Sequence, residues 1–266
     1  MRTTTEKLGW LLVLGLLAWP GGAHADLQVK LELEHRKLMR FEPIHAFVTI
    51  ENDSGAPFAI EGDKEDANAR LRFDIEIGPD EPVARQDPGP LVRAVRIKPG
   101  EKQRILVDLS RFYSLGTMRG YLVKAVVDWN GRSYASEIMR FSVENGIPQT
   151  AITRSLPGRA DLVRKYSLRY LTREKNERLF LCVDEEGTGV NYGTFDLGRL
   201  LRVTTPELAV DWAGNVRVVH QSGRDCYTWS QFKSAEDGVT FVDQSYHLAD
   251  GSPYPAAVKQ AEALEP

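Results

Sequence analysis

Apolar and polar residues alternate with a period of two through most of the segment from Leu27 to Glu144, the pattern of strands with one face buried. "LQVKLELE" puts Leu27, Val29, Leu31 and Leu33 on one face. "IHAFVTIEN" does the same with Ile44, Ala46, Val48 and Ile50 before the turn residues Asn52, Asp53, Ser54 and Gly55. "LRFDIEI" repeats it with Leu71, Phe73, Ile75 and Ile77. Pro99-Gly100-Glu101 then turns the chain into "RILVDLS", and "GYLVKAVVDWNGRSYASEIMRFSV" folds back at Asn130-Gly131, a pair suited to a turn that needs positive φ at both positions. Short strands in series, separated by turn signals and without a helical stripe, predict an all-β chain with a sandwich over residues 26–144.

The composition changes at "VENGIPQTAITRSLPGR", which reads as a linker over residues 145–160. A β-meander or second sandwich domain is expected over 161–250, followed by a disordered tail over 251–266 rich in Pro, Ala and Glu. Within the meander, "RLFLCVDEEGTGVNYGTFDLGRLLRV" can be laid over "NVRVVHQSGRDCYTWSQFKSAEDGVTFV" at an offset of 37, with Phe180 against Arg217 and Phe195 against Phe232. Two or three such units do not close a propeller ring, which takes at least about four blades. Two turns stand out here. "DWAGN" has the Asp-x-x-Gly-Asn form, and "SAEDGVTF" bends one strand into the next.

Several stretches carry a resemblance. "FEPIHAFVTIENDSGAPFAI", "KPGEKQRILVDLSRFYSLGTMRGYLVKAVV" and "YASEIMRFSVENG" resemble the immunoglobulin-like domains of exported bacterial proteins. That resemblance implies a sandwich in which Tyr121 packs at a corner and bonds the backbone through its hydroxyl. The early part is also similar to small bacterial proteinase-inhibitor sandwiches, for which "GPDEPVARQDPGP" from Gly78 to Pro90 is the candidate loop. "SAEDGVTF" resembles the Asp-box hairpin of sialidase-type propellers at Ser234, Gly238, Thr240 and Phe241, with Glu236 in place of Asp. The resemblance implies a structural turn: an acidic side chain on backbone N–H groups and an aromatic plugging the core.

The amino terminus adds a location. Arg2 and Lys7, the apolar run Leu8 to Trp19 and Ala23-His24-Ala25 read as a signal peptide over residues 1–25. The apolar run is 12 residues, short of the ~20 a membrane helix needs, so no integral membrane segment is expected after cleavage. Loss of Arg2, Lys7 and Glu6 takes a net +1 from the formal −3, leaving −4. That balance argues against nucleic acid as a partner. Basic side chains crowd between Thr153 and Arg178, but acidic ones are interleaved, as on a solvated face. Export would let Cys182 and Cys226 form a disulfide worth about 3–4 kcal/mol. Cys182 inside the apolar "LFLCV" equally suits a buried free thiol, and both readings stand.

Candidate chemistry is sparse. His35, His45, His220 and His247 show no metal-ligand spacing, and a composite site of His220, Cys226 and His247 requires the last strands to fold back on themselves. Asp184, Glu185 and Glu186 share one turn, without the oxygen spacing a calcium loop uses. There is no nucleophile elbow, phosphate loop or dinucleotide fingerprint, so neither catalysis nor a cofactor is expected. Aromatic residues are dense in the second half, and Tyr192, Tyr227, Trp229 and Tyr246 are the candidate binding residues. The sequence thus points to a non-catalytic binding or adaptor protein of the periplasm or extracellular space, with a protein or glycan of the cell envelope as partner. A glycan-acting hydrolase, a carbohydrate-binding accessory and a proteinase inhibitor are the alternatives.

Overall fold

The computed structural model describes residues 27–60, 68–78 and 81–255, so the expected signal peptide and most of the expected tail lie outside the described residues. The first half forms β1 (Leu27–Leu33), β2 (Lys37–Met39), β3 (His45–Asn52), β4 (Phe58–Ile60), β5 (Ala69–Glu76), β6 (Val95–Ile97), β7 (Lys102–Asp108), β8 (Gly120–Trp129), β9 (Arg132–Ala135) and β10 (Met139–Glu144). The second forms β11 (Ile147–Leu156), β12 (Arg159–Arg173), β13 (Asn176–Glu185), β14 (Asn191–Arg199), β15 (Glu207–Val210), β16 (Asn215–Gln221), β17 (Tyr227–Ala235) and β18 (Gly238–His247). Among the described residues the one helical element is a single 3-10 turn at Leu109–Arg111. No helix there is long and apolar enough to cross a membrane.

The first half is a sandwich of a three-stranded sheet, β1-β3-β7, against a seven-stranded one in the order β2-β10-β8-β5-β4-β6 with β9 beside β8. The alternating residues meet in its core: Val29 and Leu31, Ala46, Val48 and Ile50, and Leu71, Phe73 and Ile75 are buried, with Leu33 and Ile77 packed at the margin. Asn130 and Gly131 take φ of 48° and 72° in the β8–β9 turn, as its two-residue length demands. Tyr121 stacks on Phe141 and donates its hydroxyl to the Thr117 carbonyl at 2.8 Å.

The second half is two four-stranded antiparallel meanders, β11 to β14 and β15 to β18, facing each other across Leu168, Leu181, Val218 and Phe232. The 37-residue offset lays β13–β14 over β16–β17, the last two strands of one sheet on the middle two of the other. Hairpin pattern, rather than blade position, is what the two stretches share.

The expected linker is a correction. Residues 147–156 are β11, paired along β12, and only Asn145 and Gly146 separate the two halves. β11 is an edge strand with both faces largely in water, so it lacks the buried alternation by which a strand is read from sequence.

"SAEDGVTF" is the β17–β18 turn, held differently from an Asp-box. Glu236 turns out to pair with Arg159, and Phe241 stays 51% exposed, its ring edge-on to Phe232. The turn is clasped instead from β12 in the opposite sheet. Arg164, 1% exposed, donates to Ser234 Oγ at 2.7 Å and to the carbonyls of Gly238 at 3.1 Å and Glu236 at 3.2 Å. Tyr166 also donates to Ser234 Oγ, and the Tyr192 ring lies 3.9 Å from the guanidinium.

A strap from β2 to Glu42 joins the two halves. Arg173 of β12, 4% exposed, binds Glu42 at 2.5 Å and the Lys37 carbonyl at 2.9 Å, and Glu42 also accepts the Met39 N–H at 2.8 Å. Met39 packs beneath it on Leu171, Phe180 and Cys182. Burial pushes the Glu42 carboxyl above its usual range, against the pull of Arg173. Arg173→Met leaves that carboxylate buried alone and should cost about 3–5 kcal/mol in urea unfolding, while a Glu42→Leu, Arg173→Met double variant should recover most of the loss.

Candidate functional site

Strand register sorts the candidate aromatics onto different surfaces. In β17, Thr228, Ser230 and Phe232 are buried against the facing sheet, so Tyr227, Trp229 and Gln231 point outward. Pairing sets His247 opposite Tyr227, Ser245 opposite Trp229 and Asp243 opposite Gln231, and on the other side Val219 opposite Trp229 and Arg217 opposite Gln231. Cross-strand partners share a face, so these side chains form one outward patch over three strands. Tyr246 pairs with the buried Thr228 and lies on the other face, and Tyr192 is in the other sheet beneath Arg164. Of the four candidates, the structure brings together Tyr227 and Trp229.

The patch has a fixed aromatic wall. The His247 ring stands 4.5 Å from Trp229. Its Nδ1 donates to the Gly251 carbonyl at 3.0 Å, and its Nε2 lies 2.9 Å from the Ser245 hydroxyl. These two bonds hold the imidazole against the indole. On the other flank the Arg217 guanidinium is 6.0 Å from the Trp229 ring. Beyond Arg217 the surface dips into a cleft of about 570 Å³ lined by Asp211, Asn215, Arg217, Gln231 and Lys233 with the apolar Val216, Phe232 and Val242, and the Lys233 ammonium donates to the Ala213 carbonyl and Asn215 Oδ1. An aromatic wall beside an amide and a guanidinium suits stacking plus hydrogen bonding, the usual economy of a binding cleft.

Trp212 is the aromatic the sequence did not single out, and it is 87% exposed with Arg154 5.4 Å from its ring. Its signal was present. In "DWAGN", Asp211 accepts the N–H groups of Ala213 and Asn215 at 2.9 and 2.8 Å, and the residue after such an Asp sits at the turn's tip, pointing away from the core.

The composite site of His220, Cys226 and His247 does not assemble. His220 faces the buried layer and His247 the outward face, and no cluster of metal-ligating side chains occurs among the described residues. The proteinase-inhibitor loop is tied to the body: Pro82 bridges Glu76, Arg85 bridges Tyr113, and the Arg85 guanidinium lies over Phe112.

No protein-family model matches the chain and no curated protein matches it. Among solved structures, the crystal structure of Spo0M, sporulation control protein, from Bacillus subtilis is similar at 12% identity and a TM-score of 0.29, covering 62% of this chain and 82% of that one. A likeness at that level carries no argument, and the all-β architecture rests on the strands described above.

Cys182 lies in the junction cluster and Cys226 at the β16–β17 connection, both buried and not bridged to each other, so the disulfide reading gives way to the buried-thiol one. Burial pushes the Cys182 thiol up to about 12. Native protein at pH 8 should leave Cys182 unmodified by iodoacetamide, and intact mass under denaturing alkylation should show both cysteines labelled without a reductant.

His220 donates from Nε2 to the Arg199 carbonyl at 3.1 Å, and burial pushes its pKa down to about 4 from 6.5. The unfolded chain takes up this proton near pH 6.5 and the folded chain does not. The resulting stabilisation is therefore full above pH 6.5 and disappears as pH falls toward 4, a loss of about 3 kcal/mol. Urea titrations across that window should show this slope flattened in His220→Gln.

Proposed function

We propose that this is an exported, non-catalytic binding or adaptor protein whose recognition surface is the outward face of the last sheet. On this reading the first sandwich is an immunoglobulin-like module and the second carries the ligand, a protein or glycan of the cell envelope. The observation that supports it is the outward pairing of Trp229 with His247 at 4.5 Å beside Tyr227, continuous with the cleft at Arg217 and Gln231. A flat ring held rigid costs little entropy on binding, because its partner residues have already fixed its rotamer. Stacked rings next to a guanidinium and an amide also favour a carbohydrate-binding accessory as the second reading, since sugars offer an apolar face and a rim of hydroxyls.

The test is affinity capture from cell-envelope extract with the wild-type protein beside a Trp229→Ala, Tyr227→Ala variant, followed by titration of each captured species in purified form. A partner that binds wild type and loses about tenfold or more in affinity for the variant supports this surface. Equal affinity for both forms moves recognition off this sheet and overturns the reading. In glycan titrations, quenching or a blue shift of tryptophan emission that disappears in Trp229→Phe would select the carbohydrate alternative.

A further inference from the structure

The first sandwich is unequal: three strands face seven, and β7 ends the smaller sheet with no strand paired to its outer side among the described residues. Which backbone groups that edge presents follows from alternation. The Glu101 carbonyl accepts from Asn52 and the Leu109 N–H donates to Ile44, so the odd-numbered residues of this stretch bond toward β3. Those of Lys102, Arg104 and Leu106 therefore point away from the sheet.

Such an edge is a template for another strand unless something blocks it, and charged side chains are the usual block. Here they are drawn elsewhere. Arg104 reaches across the solvent face to Glu32 and lies 4.0 Å from the Phe47 ring, and Lys102 reaches Glu51. What remains at the centre of the edge is Leu106, 54% exposed. Alongside runs a cleft of about 470 Å³ between Leu106–Asp108 and the segment Pro90–Ala94, floored by Leu91, Val92 and Phe112 and flanked by Arg93 and Arg111. Both arginines are exposed, and neither has an ion pair among the described residues. The one acidic side chain in the cleft, Asp108, is turned inward, its Oδ1 accepting from the N–H of Ile44 and from the N–H and hydroxyl of Ser110.

We propose that this cleft receives an extended acidic peptide segment of a partner protein, added to β7 as a fourth strand. An incoming strand gains hydrogen bonds from the outward groups of Arg104 and Leu106. Its alternate side chains fall toward the core side, over Leu91 and Phe112, and its carboxylates meet Arg93 and Arg111. Recognition by main-chain pairing with side-chain pockets for selectivity is a general mode for extended peptides. The site is in the first sandwich and does not depend on the aromatic patch of the second, so either surface can fail without the other.

The experiment is fluorescence anisotropy of a fluorescein-labelled peptide alternating glutamate and valine, titrated with the purified protein. Saturable binding is expected, weakened about tenfold when the peptide amides are N-methylated on alternate residues along its β7-facing edge. Binding should also weaken about fivefold in Arg93→Ala, Arg111→Ala, and fall as salt rises from about 0.05 to about 0.5 M. Leu106→Pro removes an outward N–H while leaving the β3 ladder intact, and should abolish binding without lowering the thermal midpoint by more than a few degrees. The N-methylated peptide gives the same information with no substitution in the protein. Absence of saturable binding, equal binding of the N-methylated peptide, or equal binding of a lysine–valine peptide would each overturn the proposal.

Discussion

The buried ion pair between Arg173 and Glu42 sets the relation of the two halves of this molecule. Arg173 reaches out of the long strand β12 into the first sandwich, where it holds both a carboxylate and the backbone of the strap that carries it. Burying two charges is expensive, and pairs of this kind commonly add little net stability over an apolar replacement. What the pair does supply is direction: a guanidinium must meet its acceptors at defined angles, whereas Met39, Leu171 and Phe180 beside it would tolerate some sliding. Gly146 completes the constraint. At φ +62° it sits where a Cβ would stand 2.5 Å from Met39 Cε and 2.9 Å from the Tyr170 carbonyl, so the chain can pass from one sandwich to the other only without a side chain there.

Arg164 solves a related problem without a counter-ion among the described residues. Its charge is spread over two backbone carbonyls, the Ser234 hydroxyl and the face of Tyr192. Carbonyl dipoles and a ring quadrupole stand in for a carboxylate, and in doing so they pin the β17–β18 turn to the opposite sheet. The same arrangement explains why Tyr192 belongs to the interior logic of the fold and not to the outward face that carries Trp229. Its ring is already occupied.

The first sandwich was legible because burial on one face prints itself on the sequence: Val29, Ala46, Ile50 and Phe73 could be placed from period-two alternation alone. β11 was not, since an edge strand with both faces wet leaves no such print. The junction was hidden for another reason. Arg173 and Arg164 stand in a run of basic residues interleaved with acidic ones, and nothing local distinguishes a guanidinium that will be buried from one that will be solvated. Both are decided by what another part of the chain brings to them, Glu42 in one case and the 234–238 turn in the other. For the aromatic patch, the sequence places Tyr227 and Trp229 two residues apart on one strand but does not say which face that parity occupies. Tyr227 and Trp229 share parity with each other, while Tyr246 falls out of step with His247, and only the register shows which parity is outward.

The two-residue passage at Asn145 and Gly146 has a consequence for any partner that engages both sandwiches. A long linker would let two binding surfaces search a volume, so that engagement at one raises the local concentration at the other broadly and weakly. With no slack, the spacing between β7 and the Trp229 face acts as a ruler. A bivalent partner of matching span gains most of the avidity available to it, and one of the wrong span gains none.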